Sequence, residues 1–212
     1  MGLRLSALLL TGVLFVQTAR ADEMSPCDSL LRTYVVDGLV DYDRLMNDSL
    51  LGRCVGYIRD VDVDQMSDDN TRLAFWINAY NITVIKSVIH HGMPRRVTDV
   101  RGFFSDEKHE VAGRSHTLDE IENSVIRPFG DARIHAALVC AALSCPELQA
   151  WAFTGDSLDS QLIHASRVYL TDRSRNIVDF AENSAQLSKV FDWYGGDFVT
   201  EYGSVMAFVR KY

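Results

Sequence analysis

The sequence of 212 residues is short of cysteine and proline, with 4 of each, and of positive charge, with 21 Lys and Arg against 29 Asp and Glu. Four cysteines are too few to replace a hydrophobic core with a disulfide framework. The net charge of -8 repels phosphate backbones and argues against nucleic-acid binding. Phosphate-binding glycine loops, serine nucleophile elbows and C-x-x-C pairs are also missing. The sequence therefore gives no support to nucleotide, α/β-hydrolase or thioredoxin-like chemistry.

A long apolar run stands at the N-terminus, over residues 5–16. It follows Arg4 and precedes Ala19-Arg20-Ala21, which has the small-x-small pattern of a cleavage site. We predict a signal peptide over 1–21, with an uncleaved anchor as the alternative. No second run of this kind follows, so we expect a periplasmic or secreted protein with no stable membrane span after cleavage.

The remaining residues, 22–212, have the composition of a folded protein, because the sequence is 47% hydrophobic and 24% charged. They contain no low-complexity linker and no internal repeat that would divide them. We therefore predict a single globular domain over 22–212.

Helix-capping and helix-breaking residues, together with the spacing of apolar residues, predict a helix-rich α+β domain with a small antiparallel sheet. The clearest helix covers 67–91, with Ser67 or Asp68 as its cap. A hairpin is expected over 108–118, followed by a helix that a capping box at Thr117 opens. The apolar run 134–143 is predicted to be buried, as strand or helix. The last segment is expected to hold short strand-like pieces and a helix over 204–209.

The N-terminal cysteines, Cys27 and Cys54, flank one predicted helical segment. In an oxidising compartment they can form a disulfide that ties the N-terminal arm to the domain. A pair of buried free thiols is the alternative.

Two asparagines interrupt the apolar face of the best helix. Asn78 and Asn81 are three residues apart and share that face with Ala74, Ile82 and Ile85. A buried amide must be hydrogen-bonded to something fixed. The asparagines either tie the helix to a loop backbone or line a cleft, where one of them holds a ligand carbonyl or a catalytic imidazole.

A second unusual place combines His135 with Cys140 and Cys145. In one interpretation His135 activates a thiol nucleophile, for which Cys145 is the better candidate because it lies at a turn before Pro146. In another, the three residues bind a metal, although a fourth ligand is not evident. In the third, Cys140 and Cys145 form a disulfide and His135 is a satisfied core histidine.

These segments resemble the domain-of-unknown-function family 547 over about residues 34–212, and they occur in the family's order. The matching segments are Gly38 to Tyr42, Ala74-Phe75-Trp76-Ile77-Asn78-Ala79-Tyr80-Asn81, Thr117-Leu118-Asp119-Glu120-Ile121-Glu122, Arg133-Ile134-His135-Ala136-Ala137-Leu138-Val139-Cys140, Ser144-Cys145-Pro146-Glu147-Leu148, Leu158-Asp159-Ser160-Gln161-Leu162 and Phe191-Asp192-Trp193-Tyr194 with Asp197-Phe198. The resemblance implies an exported bacterial protein and no established activity. It also implies that the family's pattern carries Asn78, Asn81, Arg133, His135, Cys140, Cys145 and Trp193.

The turn after the best helix is also similar to transglutaminase-like and papain-like folds. In those enzymes the central helix runs into a Gly-x-Pro-x-x-Val turn, found here over residues 92–97. Their nucleophilic cysteine opens the helix, where this chain offers Asn78 and no cysteine. Either His109 or His135 could take the place of their catalytic histidine, which follows on a strand.

Two functions remain from the sequence. The one we favour is a noncatalytic module that binds a peptide or a cell-envelope component, with Cys140 and Cys145 oxidised. The alternative is a thiol-dependent hydrolase or transferase. Its catalytic residues are Cys145 as nucleophile, His135 as base and Asn78 or Asn81 orienting the imidazole, and its ligand-binding residues are Asn81, Arg133, which pairs with a substrate carboxylate, and Trp193.

We predict no cofactor and no metal. His90 and His91 lie at the C-terminal end of the best helix, where a positive charge interacts favourably with the helix dipole. We assign them no other role from the sequence.

Overall fold

The computed structural model describes residues 25–142, 144–179, 181–182 and 184–212. The predicted signal peptide, 1–21, lies outside these residues. Within them the α-helices are α1 (Ser25–Tyr34), α2 (Tyr42–Leu45), α3 (Ser49–Asp60), α4 (Asp69–His90), α5 (Leu118–Glu120), α6 (Leu158–Thr171), α7 (Val190–Trp193), α8 (Gly195–Tyr202) and α9 (Val205–Lys211). The strands are β1 (Val35–Val36), β2 (Leu39–Val40), β3 (His109–Val111), β4 (Arg114–His116), β5 (Ile177–Asp179) and β6 (Ser184–Gln186).

The strands pair as antiparallel two-stranded hairpins, β1 with β2, β3 with β4 and β5 with β6. His109 stands opposite His116 in the second hairpin. The predicted α+β class with a helical majority is confirmed, although the strands of the described chain form separate ribbons rather than one sheet.

Helix α4 lies at the centre of the fold. Asp68 caps it by accepting a hydrogen bond from the Thr71 N–H at 2.8 Å, as the sequence predicts. Most of its residues from Leu73 to Val88 are buried, which is the pattern of a helix surrounded by protein on all sides. A side chain at Gly155 would collide with Thr71, so the loop before α6 can approach the helix closely only because residue 155 is glycine.

The N-terminal arm is attached to the domain through α1 and α3. Cys27 on α1 and Cys54 on α3 are paired as a disulfide, with their Cα atoms 4.9 Å apart. Both residues are fully buried. The sulfur atoms therefore form part of the core at the point where the two helices meet.

The chain between β4 and α6 has little regular α-helix. Thr117 and Glu120 form the predicted capping box at α5. The helix then widens into a π-helical turn, Ile121–Ile126, and tightens into a 3-10 turn, Arg127–Phe129, that ends at Gly130 with φ 78°. The apolar run that follows begins as the 3-10 helix Ala132–Ala136.

The C-terminal helices pack around a second cluster of buried apolar residues. Among its larger members are Tyr169, Phe191, Phe198 and Phe208. Ala132 and Ala136 belong to the same cluster, so the 3-10 helix is held against the C-terminal part of the chain. None of the helices in the described part of the chain has the length and apolar character needed to cross a membrane.

Candidate functional site

The ring of His135 lies buried between the 3-10 helix Ala132–Ala136 and the start of α8. Its Nε2 atom is 2.8 Å from Oδ2 of Asp197. The ring stacks on Tyr194, with centroids 4.0 Å apart and planes inclined by 19°. The side chain is 1% exposed. The carboxylate and the aromatic ring together fix the orientation of the imidazole.

The Asp197 carboxylate is shared between His135 and Arg127. Nε and Nη2 of Arg127 each donate to it at 2.8 Å, in the two-pronged geometry that guanidinium groups make with carboxylates. The guanidinium carbon also lies 5.6 Å from the centroid of the Tyr194 ring. Arg127, Asp197, His135 and Tyr194 therefore form one connected group.

Their charges follow from this arrangement. The hydrogen bonds from Arg127, and secondarily that from His135, lower the pKa of Asp197 to about 2. Burial lowers the pKa of His135 to about 4, although the Asp197 carboxylate acts in the opposite direction. At neutral pH the ring is uncharged and the carboxylate is ionised.

An ionised carboxylate can only accept, so the neutral ring of His135 donates its Nε2–H to Asp197. Its other nitrogen, Nδ1, is then an acceptor. Within the described residues Nδ1 of His135 has no hydrogen-bond partner. The side chain thus presents one free acceptor.

Glu122 lies next to this group, on the π-helical turn, and is 8% exposed. The Tyr80 hydroxyl donates to its Oε2 at 3.1 Å, and the Tyr194 hydroxyl lies close enough to influence the charge of its carboxyl group. Burial raises the pKa of Glu122, while the two hydroxyls act in the opposite direction. Burial also raises the pKa of Tyr194 and of Tyr80, so both hydroxyls keep their protons.

A pocket of about 60 Å³ opens beside these side chains. We call it the His135 pocket. It is lined by Tyr80, Glu122, His135, Leu138, Val139, Cys140, Cys145, Pro146, Val190, Trp193 and Tyr194. Trp193 is 64% exposed, which places a large apolar ring at the solvent side of the pocket. The volume suits the end of a side chain or a few water molecules rather than a whole cofactor.

Of the residues that the sequence singled out, the structure brings four together around this pocket: His135, Cys140, Cys145 and Trp193. Cys140 and Cys145 are paired as a disulfide in the pocket wall, with Cα atoms 6.1 Å apart. No cysteine of the described chain is free. In this state the pocket holds an imidazole base without a thiol beside it.

The two asparagines tie α4 to loop backbone and do not line the cleft. The Asn78 amide donates to the Phe153 carbonyl at 2.8 Å and accepts from the Phe153 N–H at 2.9 Å. Asn81 makes the same pair of bonds with the Ala137 carbonyl, at 2.9 Å, and the Val139 N–H, at 3.0 Å. Neither amide orients the imidazole, because the backbone occupies both polar ends of each.

Arg133 is also committed to other partners. Its guanidinium bonds the carboxylates of Asp131 and Asp159, in each case at 2.6 Å. Its side chain is 14% exposed. The expected role of pairing with a substrate carboxylate is therefore at odds with this geometry, which makes Arg133 a link between the 3-10 helix and α6.

The sequence reasoning missed most partners of His135. Asp197 and Tyr194 stand about sixty residues further along the chain, and the separation of His135 and Asp197 is 62 residues. Both belong to a segment quoted for the family resemblance, which was the available signal. Glu122 and Tyr80 lie on predicted helices, where nothing in the pattern marks them as polar groups facing a pocket.

The structure thus defines a helix-rich α+β domain with a buried, carboxylate-oriented histidine under a small pocket. A family model described as "Protein of unknown function, DUF547" matches residues 63–170, and the chain belongs to this family. The match includes His135, Glu122 and both pocket cysteines, whereas Tyr194 and Asp197 lie beyond it. No curated protein matches the chain, and no solved structure matches it either. The transglutaminase-like similarity stays a prediction.

Proposed function

We propose that this chain is a noncatalytic binding module, whose His135 pocket receives an uncharged group of a peptide or of a cell-envelope component. The observation that carries the proposal is the Cys140–Cys145 disulfide in the pocket wall. It removes the thiol that the catalytic alternative needs. What the pocket then offers is a neutral imidazole, phenolic hydroxyls and apolar walls.

The charges of the pocket argue for an uncharged ligand. None of the described residues that line it is Lys or Arg, and the acidic lining residue, Glu122, accepts a hydrogen bond from Tyr80 and has its pKa raised by burial. The neighbouring cation, Arg127, is held by Asp197 at two positions. The free acceptor Nδ1 of His135 suits a donor such as an amide N–H, and Trp193 offers an exposed face for an apolar group.

Binding can be tested by titrating the chain with a panel of short acetylated peptides and soluble muropeptides, followed by amide NMR shifts and tryptophan fluorescence. We expect His135→Gln and Trp193→Ala each to weaken binding about fivefold, since a lost hydrogen bond or aromatic contact is worth about 1 kcal/mol. Val199→Ala is the matched control, because Val199 is an apolar residue of α8 that is 52% exposed and does not line the pocket. Unchanged affinity in both pocket variants contradicts the proposal.

We place the protein in the periplasm or outside the cell, with residues 1–21 removed. The support is the leader pattern of the sequence together with two cysteine pairs at disulfide distance, which oxidising compartments favour. N-terminal sequencing of the protein recovered from a periplasmic or culture fraction should begin at Asp22. A chain found only in the cytoplasm with Met1 retained contradicts the assignment.

A second candidate is a thiol-dependent hydrolase or transferase that works when the Cys140–Cys145 bond is reduced. It is favoured by the presence of Cys145 and a carboxylate-oriented His135 around one pocket. Alkylation without reductant, in denaturant, separates the candidates. We expect no modified cysteine, and all 4 modified after reduction. Rapid alkylation of Cys145 alone in the native protein at pH 7 would favour the enzyme.

A further inference from the structure

Three metal-ligating side chains meet at the C-terminal end of α4, and none of them lines the His135 pocket. His90 is the last residue of the helix and His91 its C-cap. Glu107 reaches them from the loop before β3, with its Oε2 2.9 Å from Nε2 of His91. The rings of His90 and His91 stand 5.0 Å apart and inclined by 78°.

The donor atoms are close enough to share one ion. One ligand atom from each of the three side chains lies within 4.8 Å of the others. A tetrahedral Zn²⁺ with bonds of about 2.0–2.2 Å holds its ligand atoms about 3.3 Å apart. Small side-chain rotations of partly exposed residues therefore suffice to bring the three donors around a cation.

We propose that His90, His91 and Glu107 form a binding site for a divalent transition metal, with Zn²⁺ as the representative ion. Two imidazole nitrogens and one carboxylate oxygen are a donor set that suits Zn²⁺, Ni²⁺ or Cu²⁺, whereas Ca²⁺ and Mg²⁺ prefer oxygen alone. Three protein ligands leave at least one coordination position for water or an exogenous ligand.

The surroundings favour a positive charge at this place. The last carbonyls of the 22-residue helix point toward it, and the C-terminal end of a helix carries a partial negative charge. Lys108, which follows Glu107, turns away to bond both carboxylate oxygens of Glu120 at 2.7 Å. Lys86 lies one helical turn before His90 and is the neighbouring charge that opposes an ion.

A buried histidine beside the cluster supplies a second observation. His109, two residues after Glu107, is 2% exposed, and neither ring nitrogen has a hydrogen-bond partner in the described chain. Unpaired buried polar atoms are costly, and an ion bound at Glu107 with its coordinated water would be a source of partners for the ring of His109.

The test is calorimetric titration of the untagged, oxidised chain with ZnCl₂, and with CaCl₂ in parallel. We expect saturable binding of a single Zn²⁺ and none of Ca²⁺. His90→Ala and His91→Ala should each weaken Zn²⁺ binding about 100-fold or more, because loss of a direct ligand exceeds the 10–100-fold effect typical of outer-shell changes. Lys86→Gln should strengthen it a few-fold.

His164→Ala is the matched control, since His164 is an exposed histidine on α6, and it should bind as the wild type does. Glu107→Gln keeps the shape of the side chain but removes its carboxylate, so it tests whether Glu107 is the third ligand of the ion. Zn²⁺ should also raise the melting temperature of the wild type and of the control but not of His91→Ala.

Three results would overturn the proposal. They are no saturable binding up to millimolar Zn²⁺, binding that survives in His90→Ala or in Glu107→Gln, and equal loss of binding in the His164 control. None of them bears on the His135 pocket, so this site and the proposed binding function succeed or fail separately.

Discussion

The asparagines of α4 and the histidine of the pocket are buried to the same degree, but they differ in how many of their polar atoms have hydrogen-bond partners. Asn78 and Asn81 are 1% and 3% exposed, and each amide closes a complete two-bond ring with backbone. His135 is also 3% exposed, but its Nδ1 has no hydrogen-bond partner among the described residues and lies beside a pocket. Equal burial of a polar side chain therefore accompanies two different arrangements: the asparagine amides are bonded to backbone, whereas the imidazole has an unpaired acceptor near a pocket.

The largest expected effect on stability is that of replacing an asparagine whose amide is bonded to backbone. Asn78→Ala leaves the N–H and the carbonyl of Phe153 without partners and should lower the free energy of unfolding by about 2–4 kcal/mol. Urea denaturation measures the change. Asn70→Ala, an exposed asparagine of the same helix, should stay within about 0.5 kcal/mol of the wild type. If the two variants are equally stable, the amide of Asn78 is not structural.

The stability of the protein as a function of pH tests the account of His135. The pKa of His135 is lowered to about 4 in the folded protein, below its unfolded value of about 6.5, so the neutral ring contributes stability that is complete above pH 6.5. That contribution is lost as the pH falls toward 4, by about 3 kcal/mol in all. Relative to His135→Gln, the wild type should therefore lose stability between pH 6.5 and 4.5.

The difference between these two profiles isolates His135 from other groups, since the pKa values of His109 and His116 are also lowered by burial. His164→Gln provides the control because His164 is exposed, and its profile should match the wild type. If the stabilities of the wild type and His135→Gln change in parallel with pH, the pKa of His135 is the same in the folded and unfolded states, and this account is wrong.

Glu122 should show the opposite slope, with stability that declines as the pH rises. Burial raises its folded pKa, so its contribution is complete below pH 4.5 and declines as the pH rises through the folded value. Glu122→Gln keeps an acceptor for one tyrosine hydroxyl and should be at least as stable as the wild type at pH 7. Glu110→Gln, on an exposed position of β3, is the control. A loss of stability in Glu122→Gln at pH 7 contradicts this account.

The smallest stability effect is expected at the rim of the pocket. Trp193→Ala removes a ring that is 64% exposed and should change the melting temperature by only a degree or two. Trp151→Ala is the matched variant, because the Trp151 ring packs edge-on against Phe153 at 5.0 Å and should be clearly destabilising. A large loss in Trp193→Ala would make that ring part of the core.

Local signals predicted the parts of the fold that depend on neighbours in sequence. The cap at Asp68 and the capping box at Thr117 were both predictable, because each involves residues within one helical turn. The helix α8 was not, since it begins at Gly195 and Gly196, which ordinarily disfavour a helix. The π-helical turn at Ile121 likewise has no local signature.

The sequence predicted part of the lining of the pocket but not the hydrogen bonds around it. The sequence pointed to His135 and Cys145, because polar residues next to an apolar run are unusual. It could not assign Asp197 to His135, nor Phe153 to Asn78, because these pairs are 62 and 75 residues apart and depend on tertiary packing. Three of the residues given site roles from the sequence, Asn78, Asn81 and Arg133, therefore have other partners in the structure.

The distance along the chain between His135 and Asp197 also has a consequence for how the protein is made. Synthesis delivers the N-terminal residues first, so the family-matched region, 63–170, is complete while the aspartate is still missing. The Cys140–Cys145 pair can close at that stage, since its members are only 5 residues apart. The imidazole gains its carboxylate partner only when α8 docks. The pocket therefore cannot be complete until α8 has been synthesised and has docked, whereas the disulfide in its wall needs only residues 140 and 145.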